Sequence, residues 1–183
     1  MDWGQQAAEQ LEFHWNTHLR PKLEGLSDEE YLWEPAPGAW SVRRREEART
    51  PLAVGGGEWV MDWAVPEPSP APVTTIAWRL GHVLVGLFGM RNAAHFGGPP
   101  IGYQTVIWPT SATEMLERID DGYRRWVEGV SSLSGEDWPR PVGPAEGLFA
   151  DAPYAALVLH INREVIHHGA EVLLLRDLYR SRT

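Results

Sequence analysis

Leu11, Trp15, Leu19 and Leu23 recur at four-residue intervals and predict a first helix over about Trp3 to Glu24. Pro21 lacks the N–H that a helix interior uses and should bend or interrupt the last turn. In "SDEEYLW", Ser27 and Glu30 form a capping box for a short helix that ends before Pro35. A second apolar run takes Thr74 or Thr75 as N-cap and reaches about Phe96, where Gly97-Gly98-Pro99 stops it. The third helix opens at the capping box Ser111 to Glu114 and extends to about Leu133, after which "SGEDW" offers one more helical turn. The fourth begins after Asp151, with Pro153 in its first turn, and continues through Tyr179. Four helices of roughly twenty to twenty-eight residues, without a strand series or an internal repeat, predict an all-α four-helix bundle.

Between the first two helices the pattern lapses. Residues 35–73 contain seven prolines and four glycines, which predicts a long irregular connection of the kind that is functional or mobile in compact domains. Its tryptophans, in "GAWSVR" and "GGGEWVMDW", are unfavourable to leave wet, so parts of it should pack down. A short strand pair is compatible with this stretch. The basic run Arg43 to Arg45, followed at once by Glu46 and Glu47, reads as a solvated loop. Trp3, Trp15 and Trp33 read as core or interface residues.

Composition narrows the classes. A chain of 183 residues suits a single domain over residues 1–183, and 43 % apolar with 22 % charged residues is ordinary for a soluble protein. A formal charge of −9 argues against a nucleic-acid partner, since phosphates require clustered Lys and Arg. The absence of cysteine excludes disulfides, thiolate metal sites and a cysteine nucleophile. The chain opens without a signal-peptide pattern, and Arg79 and His82 interrupt the longest apolar stretch well short of a membrane span. The expectation is a cytoplasmic protein with a small-molecule substrate and neither membrane nor nucleic acid as partner. The near-exclusive use of Arg, with Lys22 the one lysine, fits a GC-rich bacterial genome. Abundant tryptophans are compatible with a homodimer, although no residue pattern fixes an interface.

The chemistry lies in the segment "LHINREVIHHGAEV". At 100° per residue the core stripe of the fourth helix is Leu157, Ile161, Val172 and Leu175, and Glu164 and His168 fall inside it. His160 sits at its edge and His167 further round. A carboxylate buried among leucines needs a partner, and Glu164 and His168 stand one turn apart, where both can meet one ion. In the second helix, "TTIAWRLGHVLVGLFGMRNAAHFGG" is apolar nearly all round, which directs His82 inward. Trp78, Val85, Gly86, Gly89 and Ala93 share its face, the small ones leaving room for a neighbouring helix or a ligand cavity. His82, Glu164 and His168 then form a two-His, one-carboxylate set with open positions, suited to zinc, nickel, iron(II) or manganese. The alternatives are core histidines in a polar network, with Glu164 paired to Arg79 or Arg163. His160 admits a fourth-ligand, an outer or a packing role; His14, His18 and His95 read as structural or surface residues.

"TTIAWRLGH" resembles the second-helix signature of the DinB-like metalloprotein superfamily, in which the terminal His is a ligand. "NREVIHHGAEV" resembles its last-helix signature, with Glu164 where His is usual, as in the branch of mycothiol-dependent maleylpyruvate isomerase. "GLSDEEYLWEP" and "GAWSVR" are similar to the inter-helix segment. The resemblance implies an up-down-down-up four-helix bundle and a divalent metal, zinc or nickel foremost, on His82, Glu164 and His168. It further implies a transferase or isomerase that uses a low-molecular-weight thiol such as mycothiol.

Because the chain has no thiol, the sulfur must arrive as a cosubstrate, its pKa lowered by a cation, and attack an electrophilic small molecule. Arg79 and Arg163 are the candidate anchors for a substrate or cosubstrate carboxylate, Trp78 lines the cofactor side, and His160 or His167 transfers protons. Two other readings remain at this point: a hydrolase in which the cation activates water, and a non-catalytic metal-stabilised protein of stress response or binding.

Overall fold

The computed structural model describes residues 3–182, the side chain of Trp3 lying outside the described set. Among the described residues the fold is mostly helical, with six α-helices and one two-stranded sheet. Helix α1 (Trp3–Phe13) passes into a π-helical stretch, His14–Leu19, and a 3-10 turn, Pro21–Leu23. Pro21 thus opens a new turn, where its missing N–H breaks no bond. Ala8, Leu11, Trp15, Leu19 and Leu23 are buried along one side.

Helix α2 (Asp28–Leu32) starts at Ser27, whose hydroxyl accepts from the Glu30 N–H at 3.1 Å. Only that half of the expected box forms, because the Glu30 carboxylate turns inward to Arg176. The second long rod is α3 (Ile76–His82), a π-helical stretch Val83–Gly89, and α4 (Met90–His95). Thr75 caps it by accepting from the Trp78 N–H. Helices α5 (Ala112–Ser131) and α6 (Tyr154–Ser181) complete the set. Helix α1 packs on α5 and α6, α3 on α5 and α6, and α4 on α5. Gly129 of α5 lies flat against the Phe96 ring, so even a methyl group there would displace the phenyl.

Residues 35–73 are neither an open loop nor wholly irregular. Strands β1 (Val42–Arg44) and β2 (Trp59–Met61) pair antiparallel with Val42 opposite Met61. Trp40 exchanges backbone bonds with Val73 and Thr75, which ties this ribbon to the start of α3. Arg43 corrects the expectation of a solvated basic run. Its side chain is buried on β1, with Nε 2.8 Å from Asp62 and Nη1 3.0 Å from Glu34. Asp62, fully buried, also accepts from the Ser41 and Arg49 N–H groups, so the carboxylate is satisfied from three sides. Arg44 and Arg45 do face solvent.

Two smaller expectations differ. "SGEDW" forms a turn and no helix, since the Asp137 carboxylate accepts from the Ser134 N–H and hydroxyl and competes with helical bonding. Pro153 is the N-cap of α6, extended at ψ 153°, because the chain there bridges back to Pro141. No helix among the described residues is long and apolar enough to cross a membrane.

Candidate metal centre

Helix α6 carries the site on one edge of its buried face. Leu157, Ile161, Val165, Val172 and Leu175 seat the helix in the core, and His168 lies among them with its side chain 9 % exposed. Glu164, one turn earlier, is the hub. Its Oε1 is 3.0 Å from Arg163 Nη2 and 3.7 Å from His160 Nδ1, while Oε2 is 3.6 Å from His168 Nε2. Burial pushes its carboxyl pKa upward, but Arg163, His160 and His168 together hold it below the usual range.

His82, the last residue of α3, approaches from the other side. Its ring meets that of His168 edge-on, with centroids 4.9 Å apart and planes at 88°. Trp78 stacks behind it at 6.0 Å, and Tyr103, from the loop after α4, places its hydroxyl 2.7 Å from His82 Nδ1. The space beside Gly86 is therefore neither a helix contact nor a ligand cavity, since the Tyr103 hydroxyl and the His82 ring occupy it.

Proton positions follow from these partners. Glu171 Oε2 lies 2.7 Å from His168 Nδ1; an ionised carboxylate only accepts, so Nδ1 carries the proton and Nε2 keeps its lone pair. Burial, then the neighbouring His168 and Arg79, push His82 down to about 4. Burial also lowers His168, against the pull of Glu171. Both imidazoles are neutral at pH 7 and available as ligands.

A sequence profile for the DinB superfamily matches residues 60–172, more than half of the chain, spanning His82, Glu164 and His168. The chain belongs to the DinB superfamily. No curated protein and no solved structure matches it.

DinB proteins bind metal, and the donor types here suit a borderline divalent cation: the imidazoles of His82 and His168, in ring contact, and the Glu164 carboxylate 3.6 Å from His168 Nε2. Among the described residues, the set whose ligand atoms all lie within 4.8 Å of one another is a neighbouring one, His167, His168 and Glu171. In that set the Glu171 carboxylate already faces the Arg79 guanidinium at 3.1 Å, and His167 is 62 % exposed. Glu164 is likewise paired, through Oε1 with Arg163 at 3.0 Å, while its Oε2 faces His168 Nε2.

The other sequence candidates of this DinB chain lie around the same place with altered partners. Arg79 pairs with Glu171 and stacks over Trp78 at 5.4 Å, so it braces the site instead of standing free for substrate. Trp78 is buried, with its indole N–H donated to the Asp62 carbonyl. Arg163 donates to His160 Nδ1 at 2.7 Å as well as to Glu164. His167 reaches Glu171 at 3.4 Å from the solvent side. The sequence reading missed Tyr103 and Glu171. The i, i+3 spacing of His168 and Glu171 was the available signal for one of them; Tyr103 lies in an aperiodic loop.

A pH effect follows for metal-free protein. An unfolded histidine takes up its proton near the ordinary value of 6.5, and folded His82 does so near 4. Between these values the unfolded state binds more protons, so stability is intact above the window and lost as pH falls through it. His82 alone accounts for about 3 kcal/mol, and His168 acts in the same direction. Urea melts of chelator-treated protein check this: the loss should shrink markedly in His82→Phe, and an undiminished loss removes His82 as its source.

Proposed function

We propose that His82 and His168, through Nε2, and the Glu164 carboxylate hold a divalent cation, zinc or nickel, within an up-down-down-up helix bundle. The activity that suits this site best is a transferase or isomerase using a low-molecular-weight thiol of the mycothiol type on an electrophilic small molecule. The observation that supports it is His168, whose ring meets that of His82 and whose Nε2 faces the Glu164 carboxylate, each imidazole with Nδ1 already engaged, in a chain without cysteine.

A cation held there supplies positive charge that lowers the pKa of an incoming thiol. Glu171 fixes the His168 tautomer, and Arg79 balances the charge of Glu171. Trp78 and Tyr103 cover His82 and exclude water from that side. Because His160 Nδ1 accepts from Arg163, its proton resides on Nε2. That N–H can donate a hydrogen bond to the heteroatom that gains electrons as the sulfur adds.

The test is metal analysis of protein purified without added metal, followed by thiol consumption with mycothiol and monochlorobimane as electrophile. Thiol conjugation well above background, lost in His82→Ala, is the expected result. Ester hydrolysis without thiol, equally dependent on His82, would replace the transferase by a hydrolase. A metal-raised melting temperature with neither reaction would leave a metal-stabilised binding protein.

A further inference from the structure

A cavity of about 370 Å³ opens between the 3-10 turn Pro144–Phe149 and the first half of α6. Its size falls within the range of small-molecule sites. We propose that it binds a small amphipathic anion, an apolar body carrying one carboxylate-type charge, and that this is the class of the electrophilic substrate. As a substrate subsite the proposal rests on the metal-dependent reading above; as an anion pocket it stands apart from it.

The floor is apolar, made by Val142, Ala152, Ala156 and Leu157. The turn adds Phe149, which is 72 % exposed, beside a fully exposed Leu148. Gly147, at φ 57°, adopts a conformation that favours glycine and kinks the turn just before these two side chains. Two consecutive large apolar side chains left in water at the lip of a cavity are a surface that an apolar ligand body would cover.

The polar groups define the charge. Glu146 is the one carboxylate of the lining, and both its oxygens are already occupied. Arg91 Nη2 lies 3.0 Å from Oε2 and His95 Nε2 2.9 Å from Oε1, with the side chain 7 % exposed. That leaves Arg163, whose Nε and Nη2 bond Glu164 and His160 but whose side chain is 68 % exposed with Nη1 outside those bonds, and His160, whose Nε2–H is a donor. Both line the cavity and both adjoin Glu164. An anionic head group on Arg163 would thus sit next to the candidate metal ligand, with its body on the apolar floor. Glu146 offsets Arg91 and Glu164 offsets Arg163. The preference for an anion therefore rests on the hydrogen-bond donors turned to the cavity, the remaining guanidinium N–H groups of Arg163 and the His160 Nε2–H, with no free carboxylate oxygen of Glu146 to oppose them.

Three probes of matched shape separate the possibilities: 4-phenylbutyrate, 4-phenylbutan-1-ol and 4-phenylbutylamine, titrated by calorimetry into full-length protein with zinc and with EDTA. The expected order is acid, alcohol, amine, with the acid about tenfold tighter than the alcohol. Arg163→Gln, at an exposed position, should abolish that gap by weakening the acid alone. Ala156→Trp, also exposed on α6, should exclude acid and alcohol together. Equal affinity for acid and amine, or unchanged binding in Ala156→Trp, overturns the proposal. An acid preference that persists in EDTA is the expected outcome; one that needs zinc overturns the role of Arg163. A failure of the metal reading appears separately, as no zinc uptake in the same calorimeter.

Discussion

Replacing His168 by alanine is expected to abolish stoichiometric zinc binding, the largest single effect on the site. Among the described residues, His168 alone touches both acidic neighbours, Glu164 through Nε2 at 3.6 Å and Glu171 through Nδ1 at 2.7 Å. Its ring also meets that of His82, so no other donor can take its place from the same position. His82→Ala and Glu164→Gln should each lower affinity by more than the roughly 10–100-fold that loss of an outer-shell partner brings. Glu171→Gln should fall within that range, because glutamine no longer holds the Nδ1 proton with a charge. His167→Ala, at a site 62 % exposed, should change little. Competition with a chromophoric chelator measures all five variants on one scale. Loss of zinc in His167→Ala with retention in His82→Ala would transfer the ion to the His167, His168 and Glu171 set and end the present assignment.

Much of this arrangement was legible from side-chain periodicity. The apolar spacing that drew the long helices also turned His82 and His168 inward, and the structure brings those two rings together from different helices. Ser27, Thr75 and Ser111 all cap as their sequence contexts indicate, because an N-cap is a local interaction between residues three apart. What periodicity could not deliver were partners distant in the chain. Tyr103 reaches His82 from an aperiodic loop, and Asp62 draws in Arg43 across a ribbon whose strands are three residues long. Arg79 shows the limit from the other direction. Its position beside His82 suggested a substrate anchor, yet a carboxylate on α6 claims it first. Residue type and register predict where a charge points, and they do not predict which opposite charge the fold will put in front of it.

The same limit hid a fully buried ion pair that joins three elements, and its removal is the second large prediction. Arg176 on α6 and Glu30 on α2 are 1 % and 4 % exposed at the side chain. Arg176 Nε and Nη2 lie 2.7 and 3.2 Å from the two Glu30 oxygens, a bidentate pair. Nη1 donates to the Lys22 carbonyl and, at 3.2 Å, to that of Glu24. One guanidinium thereby joins α6, α2 and the end of the first helical rod. Arg176→Ala leaves a buried carboxylate and two carbonyls without their donor, and should lower unfolding free energy by about 3–5 kcal/mol, a large share of the roughly 5–15 kcal/mol typical of a domain. Arg180→Ala is the control: that side chain is 56 % exposed and 4.0 Å from Glu30, so its loss should stay within about 0.5 kcal/mol. The double variant Glu30→Leu with Arg176→Met should recover much of the loss, because breaking one half of a buried pair is worse than replacing both. Urea midpoints at constant m-value measure the series. If Arg176→Ala cost no more than Arg180→Ala, the pair would be a consequence of helix packing and not one of its causes.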